Sequence, residues 1–210
     1  MTGLVLWGVG TSRTLRAHWA LCFLGLEYET RAIQTRTPAM EGQEYRSVNP
    51  RGKVPTLQDG DLTLTESPAI VTYLAENYSG PERYLIPSRK SSRAEYFEWL
   101  SFIAMELDAT SLYVLRRHEG LPDIYGPAPE ACEVARSYFN RMITAAALRL
   151  EDRRRYLLGD NFSGVDILMT TCLDWAVRYG MTLPQSFTSY RSRIDEEPST
   201  AIAFAANAVR

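Results

Sequence analysis

The chain has 210 residues, 45% of them apolar, enough to bury a sizeable core as one compact domain or two small ones. Its net charge of -2, with acidic and basic residues interspersed, gives no field for steering nucleic acid; the one run of like charge to stand out is Arg153, Arg154 and Arg155. No stretch approaches the roughly 20 apolar residues of a membrane span, and the few that follow Met1 are too short for a signal sequence, so a soluble cytoplasmic protein is expected.

The first 78 residues alternate strand and helix signals. LVLWG (4 to 8) is a short apolar run closed by glycine. SRTLRAHWALCFLGL then sets Leu15, Trp19, Cys22, Phe23 and Leu26 on one helical face, with Gly25 as its stop. EYETRAI (27 to 33) alternates as a strand, and EGQEYRSV forms a short helix. VPTLQ and DLTLT flank Asp59-Gly60, the two-residue turn of a hairpin. Ser67 followed by Pro68 reads as an N-cap with proline at the first helical position, and AIVTYLAENY continues that helix.

Periodicity fades over SGPERYLIPSRK, which reads as a linker. Beyond it the pattern is helical: 91 to about 118, 128 to about 156, 163 to about 180, and shorter pieces near 187 to 195 and 198 to 207. In NFSGVDIL, Ser163 is the N-cap and Asp166 its partner three residues on, a folding motif. Cys22, Cys132 and Cys172 are far apart within apolar helical patterns, which suits reduced core thiols better than disulfides or zinc. His18 and Cys22 stand one helical turn apart without further ligands, which favours core packing over a metal, and no metal is expected.

The stretch GKVPTLQDGDLTLTESPAI (52 to 70) carries the chemistry. Proline cannot donate to a ladder, so a strand opened by Val54-Pro55 lies at a sheet edge or begins beside one. Its extended backbone can then serve as a template for a small peptide. An ordinary strand start is the other reading of the same two residues. The helix beginning at Ser67 offers unpaired N–H groups, a positive dipole end and a hydroxyl, while Glu66 adds an anion beside them. Ser-Pro alone is a helix cap. Together with a peptide edge a dozen residues earlier, the pair matches the zwitterionic head of an α-amino acid.

NPRGKVPTL, the ESPAIVTYLAE that follows it, the order of elements before them, the helical second half and its FSGVDI box together resemble the glutathione transferase superfamily. The resemblance spans essentially the whole chain. It implies a thioredoxin-like α/β domain at 1–79, an all-helical domain at 88–210, and a homodimer. It implies further that Val54, beside a cis Pro55, pairs with the cysteinyl backbone of glutathione, that Glu66 and Ser67 hold the γ-glutamyl head, and that Lys53 lies near the glycyl carboxylate.

A glutathione thiol must ionise to attack, and its free pKa lies above 8. In the superfamily the stabilising donor sits between the first strand and first helix, here GVGTSRTLR with hydroxyls on Thr11, Ser12 and Thr14. A hydrogen bond to a charged acceptor is worth about 1.5 to 3 kcal/mol, about one to two pKa units. Ser12 is the first choice, because its spacing to Arg16 resembles that of theta-like classes; Thr11 stands next, and either residue also reads as a plain helix cap. Trp7 stands where tyrosine-type classes carry their phenol, and the loop has no cysteine, which disfavours omega- or beta-like chemistry. Met105, Tyr113 and Arg116 lie on the helix that faces the electrophile in the family, although core packing accounts for each. The expected reaction is conjugation of glutathione to a small hydrophobic electrophile. A glutathione-dependent isomerase or dehalogenase, or a non-catalytic binding protein of the same fold, are the alternatives.

Overall fold

A computed structural model describes residues 3–150 and 154–209. They fall into two compact units, Met1–Ile86 together with Glu197–Arg210, and Pro87–Glu196. No described helix is long and apolar enough to cross a membrane.

The first unit is built on a four-stranded sheet of order β2-β1-β3-β4, from β1 (Leu4–Trp7), β2 (Glu29–Arg31), β3 (Thr56–Asp59) and β4 (Leu62–Thr65). β1 and β2 run parallel, joined through helix α1 (Ser12–Leu24), and β3 runs antiparallel to both β1 and β4. Strand alternation sends Leu4 and Leu6, both buried, to one face. Val5 and Trp7 go to the other, where Trp7 joins Ile33, Met40 and Tyr45 in a small core. Met40 and Tyr45 come from two short helices, α2 (Pro38–Glu41) and α3 (Gln43–Val48).

Sequence expectation and structure differ at three points in the hairpin. β3 is an interior strand, so the edge placement fails and the placement beside an edge strand, β4, holds; its ladder begins at Thr56, so Pro55 precedes the first paired residue and costs no bond. Asp59 pairs with Leu62, so the turn residues are Gly60 and Asp61 rather than Asp59-Gly60; glycine comes first with φ +56, as in a type II′ turn. Helix α4 (Ser67–Tyr78) begins one residue early, so Glu66 and not Ser67 occupies the cap position.

Helix α1 packs against α4 and against α11 (Pro198–Ala206), the last helix in the chain. Trp19 anchors that second contact: its Nε1–H donates to Ser199 Oγ at 3.0 Å, and its ring meets Phe204 edge-on. Residues 197–209, which the sequence pattern groups with the helical domain, therefore cluster with the first unit.

The second unit is helical: α5 (Lys90–Phe102), a π-helical segment (Ile103–Leu112), α6 (Tyr113–His118), α7 (Pro122–Tyr125), α8 (Pro129–Ala147), a short 3-10 turn (Leu148–Leu150), α9 (Gly164–Arg178) and α10 (Gln185–Asp195). Nothing in the 3.6-residue pattern announced the π segment, in which Ser111 Oγ–H donates to Glu106 O five residues back. Met105 lies in this segment and is 60% exposed, which overturns the expectation that it packs in the core. The expected continuation of the long helix through 151–153, Arg153 included, lies outside the described residues.

The central helix α9 is nearly all buried. As the sequence motif predicts, Asp166 serves Ser163, accepting its backbone N–H at 2.8 Å and its hydroxyl at 2.6 Å. The same carboxylate also takes Leu157 N–H at 2.9 Å and Tyr190 O–H at 2.7 Å, so it ties the loop before α9 and helix α10 to the start of α9.

Candidate functional site

Three loops of the first unit hold the residues singled out by sequence. The first joins β1 to α1. Thr11 is the N-cap of α1, and its Oγ1 accepts Thr14 N–H at 3.0 Å while Thr11 N–H donates to Thr14 Oγ1 at 2.9 Å. This reciprocal pair is a capping box built with threonine in place of glutamate. The cap reading of Thr11 therefore holds. Ser12 follows as the first helical residue, half-buried. No acid stands in the first turn of α1, so the positive end of its dipole is unopposed there.

Trp7 is removed from any role in that loop: its Nε1–H donates to Gln58 Oε1 at 2.7 Å and its ring packs on Tyr45. His18 pins the loop from beneath. Gly8 O can only accept, so His18 Nε2–H donates to it at 3.1 Å, which leaves Nδ1 to accept Tyr28 O–H at 2.8 Å. Burial lowers the His18 pKa and keeps the ring neutral, as this pattern of bonds requires. With both nitrogens engaged, His18 acts as a structural post.

The second loop leads into β3. The Val54-Pro55 bond is cis. Lys53 O accepts Asn49 Nδ2–H at 2.8 Å and a hydrogen bond from the Tyr45 hydroxyl. A peptide unit is planar, so fixing that carbonyl fixes the direction of Val54 N–H on the other side of the same bond. Asn49 and Tyr45 also share Thr56 Oγ1, at 3.1 and 2.9 Å. The sequence alone singles out neither residue, although Asn49 opens the NPRGKVP stretch. Lys53 itself is exposed. Gly8 brings the first two loops together: its φ is +114, and a Cβ there would lie 2.5 Å from Val54 Cβ, so only glycine permits this approach.

The third loop is the β4–α4 junction. Glu66 has φ 69 and ψ 114, a conformation seldom adopted outside glycine and of the kind that collects at functional sites. Its exposed carboxylate lies 3.2 Å from Arg51 Nη1, and Arg51 also hydrogen-bonds Thr65. Ser67 is 3% exposed, and its Oγ accepts from Arg16 Nη1 at 3.3 Å. Arg16 is 1% exposed, a guanidinium sunk beneath the start of α4. Because Ser67 spends a lone pair on Arg16, its own O–H proton stays available, directed by the same helix end that presents Ser67 N–H and Ala69 N–H. Arg16 is the third residue, after Asn49 and Tyr45, to which the sequence alone assigns no role.

In the second unit, Tyr113 is half-buried, with the Arg116 and Arg117 guanidinium groups at 5.5 and 5.7 Å from its ring centre.

Residues 1–76 match the family model for the glutathione S-transferase N-terminal domain. Over 205 residues the chain is 29% identical to glutathione S-transferase GstA of Escherichia coli O157:H7, spanning 94% of this chain and 95% of that protein. It is 27% identical over 191 residues to a probable maleylacetoacetate isomerase of Vibrio cholerae serotype O1, spanning 87% and 86%. A solved ternary complex of BphK, a bacterial GST, matches with a TM-score of 0.82 at 30% identity, over 98% of this chain and 100% of that one. The mixed four-stranded sheet with its helices is thus the thioredoxin-like half of the fold, and the helical unit is its all-α half. With sequence and fold agreeing over nearly the full length, the chain belongs to the glutathione transferase superfamily.

Proposed function

We propose that the protein is a glutathione transferase of the serine type, joining the sulfur of glutathione to a small hydrophobic electrophile. The observation that carries this reading is the pairing of a locked Lys53-Val54 peptide, ahead of cis Pro55, with a buried Arg16–Ser67 contact at the mouth of α4. The donor set fits a tripeptide with charged ends. Val54 N–H and C=O pair with the cysteinyl backbone as a short strand would. Ser67 O–H and N–H take the γ-glutamyl carboxylate, with Arg16 behind them supplying charge. Glu66 takes the ammonium group, sharing its carboxylate with Arg51, and Lys53 reaches the glycyl carboxylate.

Ser12 O–H donates to the sulfur, with Thr11 the second candidate. The thiol proton leaves to solvent, the thiolate lone pair forms the S–C bond, and the electrophile's leaving group or π electrons take up the charge. The protein's share is orientation and anion stabilisation. A homodimer working in the cytoplasm is part of this reading.

The test is titration calorimetry with glutathione beside a chlorodinitrobenzene conjugation assay. Binding with turnover, and turnover lost in Ser12→Ala with glutathione affinity kept, supports the reading. Binding with no turnover on any electrophile favours a non-catalytic binding protein. The similarity to the Vibrio cholerae protein favours one second reading, an isomerase that returns glutathione unchanged. Glutathione recovered in full after substrate conversion supports that branch; its loss into product supports the transferase.

A further inference from the structure

The loop bearing Thr11 and Ser12 is held by a residue almost two hundred positions later. Asn207, directly after α11, accepts Gly10 N–H on its backbone carbonyl at 2.9 Å and on its Oδ1 at 3.2 Å. Its Oδ1 also accepts Thr14 Oγ1–H at 2.6 Å, and its Nδ2–H donates to Thr11 O at 3.2 Å. The orientation of the amide is dictated by these partners, since Gly10 N–H can only donate and Thr11 O can only accept. Val209 continues the contact: a Cβ on Gly10, whose φ is +80, would fall 2.6 Å from Val209 Cγ2. One short segment thus grips the loop at Gly10, Thr11 and Thr14.

Two consequences follow for the hydroxyl donors. The peptide joining Thr11 to Ser12 is planar, so a carbonyl held by Asn207 and by Leu15 N–H at 2.9 Å fixes where Ser12 N–H points and where its side chain starts. Thr14 has a single hydroxyl proton. Asn207 Oδ1 at 2.6 Å and Thr11 O at 2.9 Å both stand to accept it; given to Asn207, it leaves Thr14 Oγ1 as an acceptor toward the Thr11 hydroxyl 3.0 Å away, which fixes where that hydroxyl lies.

We propose that Asn207 is a positioning residue for the thiolate: through Thr11 O, Thr14 Oγ1 and Gly10 N–H it aims the Thr11-Ser12 donors at the glutathione sulfur. This rests on the reading that those donors face the sulfur. The charged groups on the two elements packed here are few. α11 carries no ionisable side chain, and α1 contributes Arg13, Arg16 and the neutral His18. Among the described residues of these two elements there is no acid, so what this segment contributes to holding the anion is the aim of the loop.

The experiment is a pH titration of the ultraviolet thiolate absorbance of bound glutathione in the wild-type protein, Ser12→Ala, Asn207→Ala and Asn207→Asp. Thermal midpoints and glutathione Kd are measured alongside. In Asn207→Ala the bound thiol pKa rises by about half to one unit, a roughly three- to tenfold loss of thiolate below that pKa, with Kd changed less than about twofold. Asn207→Asp keeps the acceptor toward Thr14 and Gly10 but sets a carboxylate against Thr11 O, so its pKa rises at least as far; it carries the same readout should the alanine variant not fold. An unchanged thiol pKa in both Asn207 variants, with a raised one in Ser12→Ala, overturns the inference and leaves the glutathione reading standing. Absence of both binding and thiolate absorbance in the wild-type protein overturns the glutathione reading, and this inference with it.

Discussion

Arg16 donates from the second turn of α1 to Ser67 Oγ at the first residue of α4, and both side chains are buried. This contact couples the helix that follows the Thr11-Ser12 loop to the helix proposed to hold the far end of the tripeptide. Ser67→Ala removes the hydroxyl donor and leaves the guanidinium with one acceptor fewer. Glutathione affinity falls about tenfold or more, the worth of one charge-assisted hydrogen bond, and stability drops by about 1 to 3 kcal/mol. Calorimetry and urea unfolding measure the two losses separately.

Thr11 and Ser12 separate by what each loses. Thr11→Ala deletes the acceptor for Thr14 N–H, so it costs about 1 kcal/mol of stability as an N-cap loss. Ser12→Ala leaves the capping box intact, keeps the thermal midpoint, and lowers turnover. Thermal unfolding beside the conjugation rate of each variant checks this; turnover lost in Thr11→Ala alone moves the donor role one residue back.

His18 makes the fold sensitive to acid. Its ordinary pKa of 6.5 is lowered by burial. As pH falls below 6.5 the unfolded chain takes up a proton that the native ring refuses, so stability declines, by at most about 1.4 kcal/mol per pH unit from this one group. Above 6.5 neither state is protonated and the contribution is flat. Urea midpoints at about pH 7.5 and 5.5 give the slope, and His18→Gln removes its share.

Asp166 serves four donors from three segments. Asp166→Ala strands the buried Leu157 N–H, Ser163 N–H and Tyr190 O–H together, which costs about 3 to 5 kcal/mol, far beyond the usual worth of a helix cap. Chemical denaturation checks the size of the loss.

Gly8→Ala places a methyl group 2.5 Å from Val54 Cβ at a φ of +114. Val54 must shift, so the variant binds glutathione more weakly and unfolds earlier than wild type, while Gly60→Ala, open on all sides, changes binding little. Side-by-side calorimetry of the two variants tests the contrast.

Much of this architecture was readable from local pattern. The Leu4–Trp7 strand, Gly25 ending α1, and the Ser163–Asp166 box all depend on neighbours within a few residues, and the structure has each of them. What escaped was set by distant partners. The Ser67 cap shifts because its hydroxyl answers Arg16, fifty-one positions away, instead of its own helix. Asn49 and Tyr45 gain their importance only when folding brings them to Lys53 O. The π segment leaves no mark in the hydrophobic period, because one added residue per turn shifts the buried stripe without erasing it.

The unit that holds the candidate site is discontinuous along the chain: α11 and Asn207 belong to it, yet a whole helical domain is synthesised between them and α4. During translation, Trp19 has neither Ser199 nor Phe204 to cover it, and Gly10 has no carbonyl to meet, until that domain has emerged from the ribosome. Closing so long a loop adds only slowly to the entropic cost, but it delays the event. The Thr11-Ser12 loop is therefore among the last features of its own unit to become ordered, and a nascent chain does not finish the candidate site before the helical domain has been made.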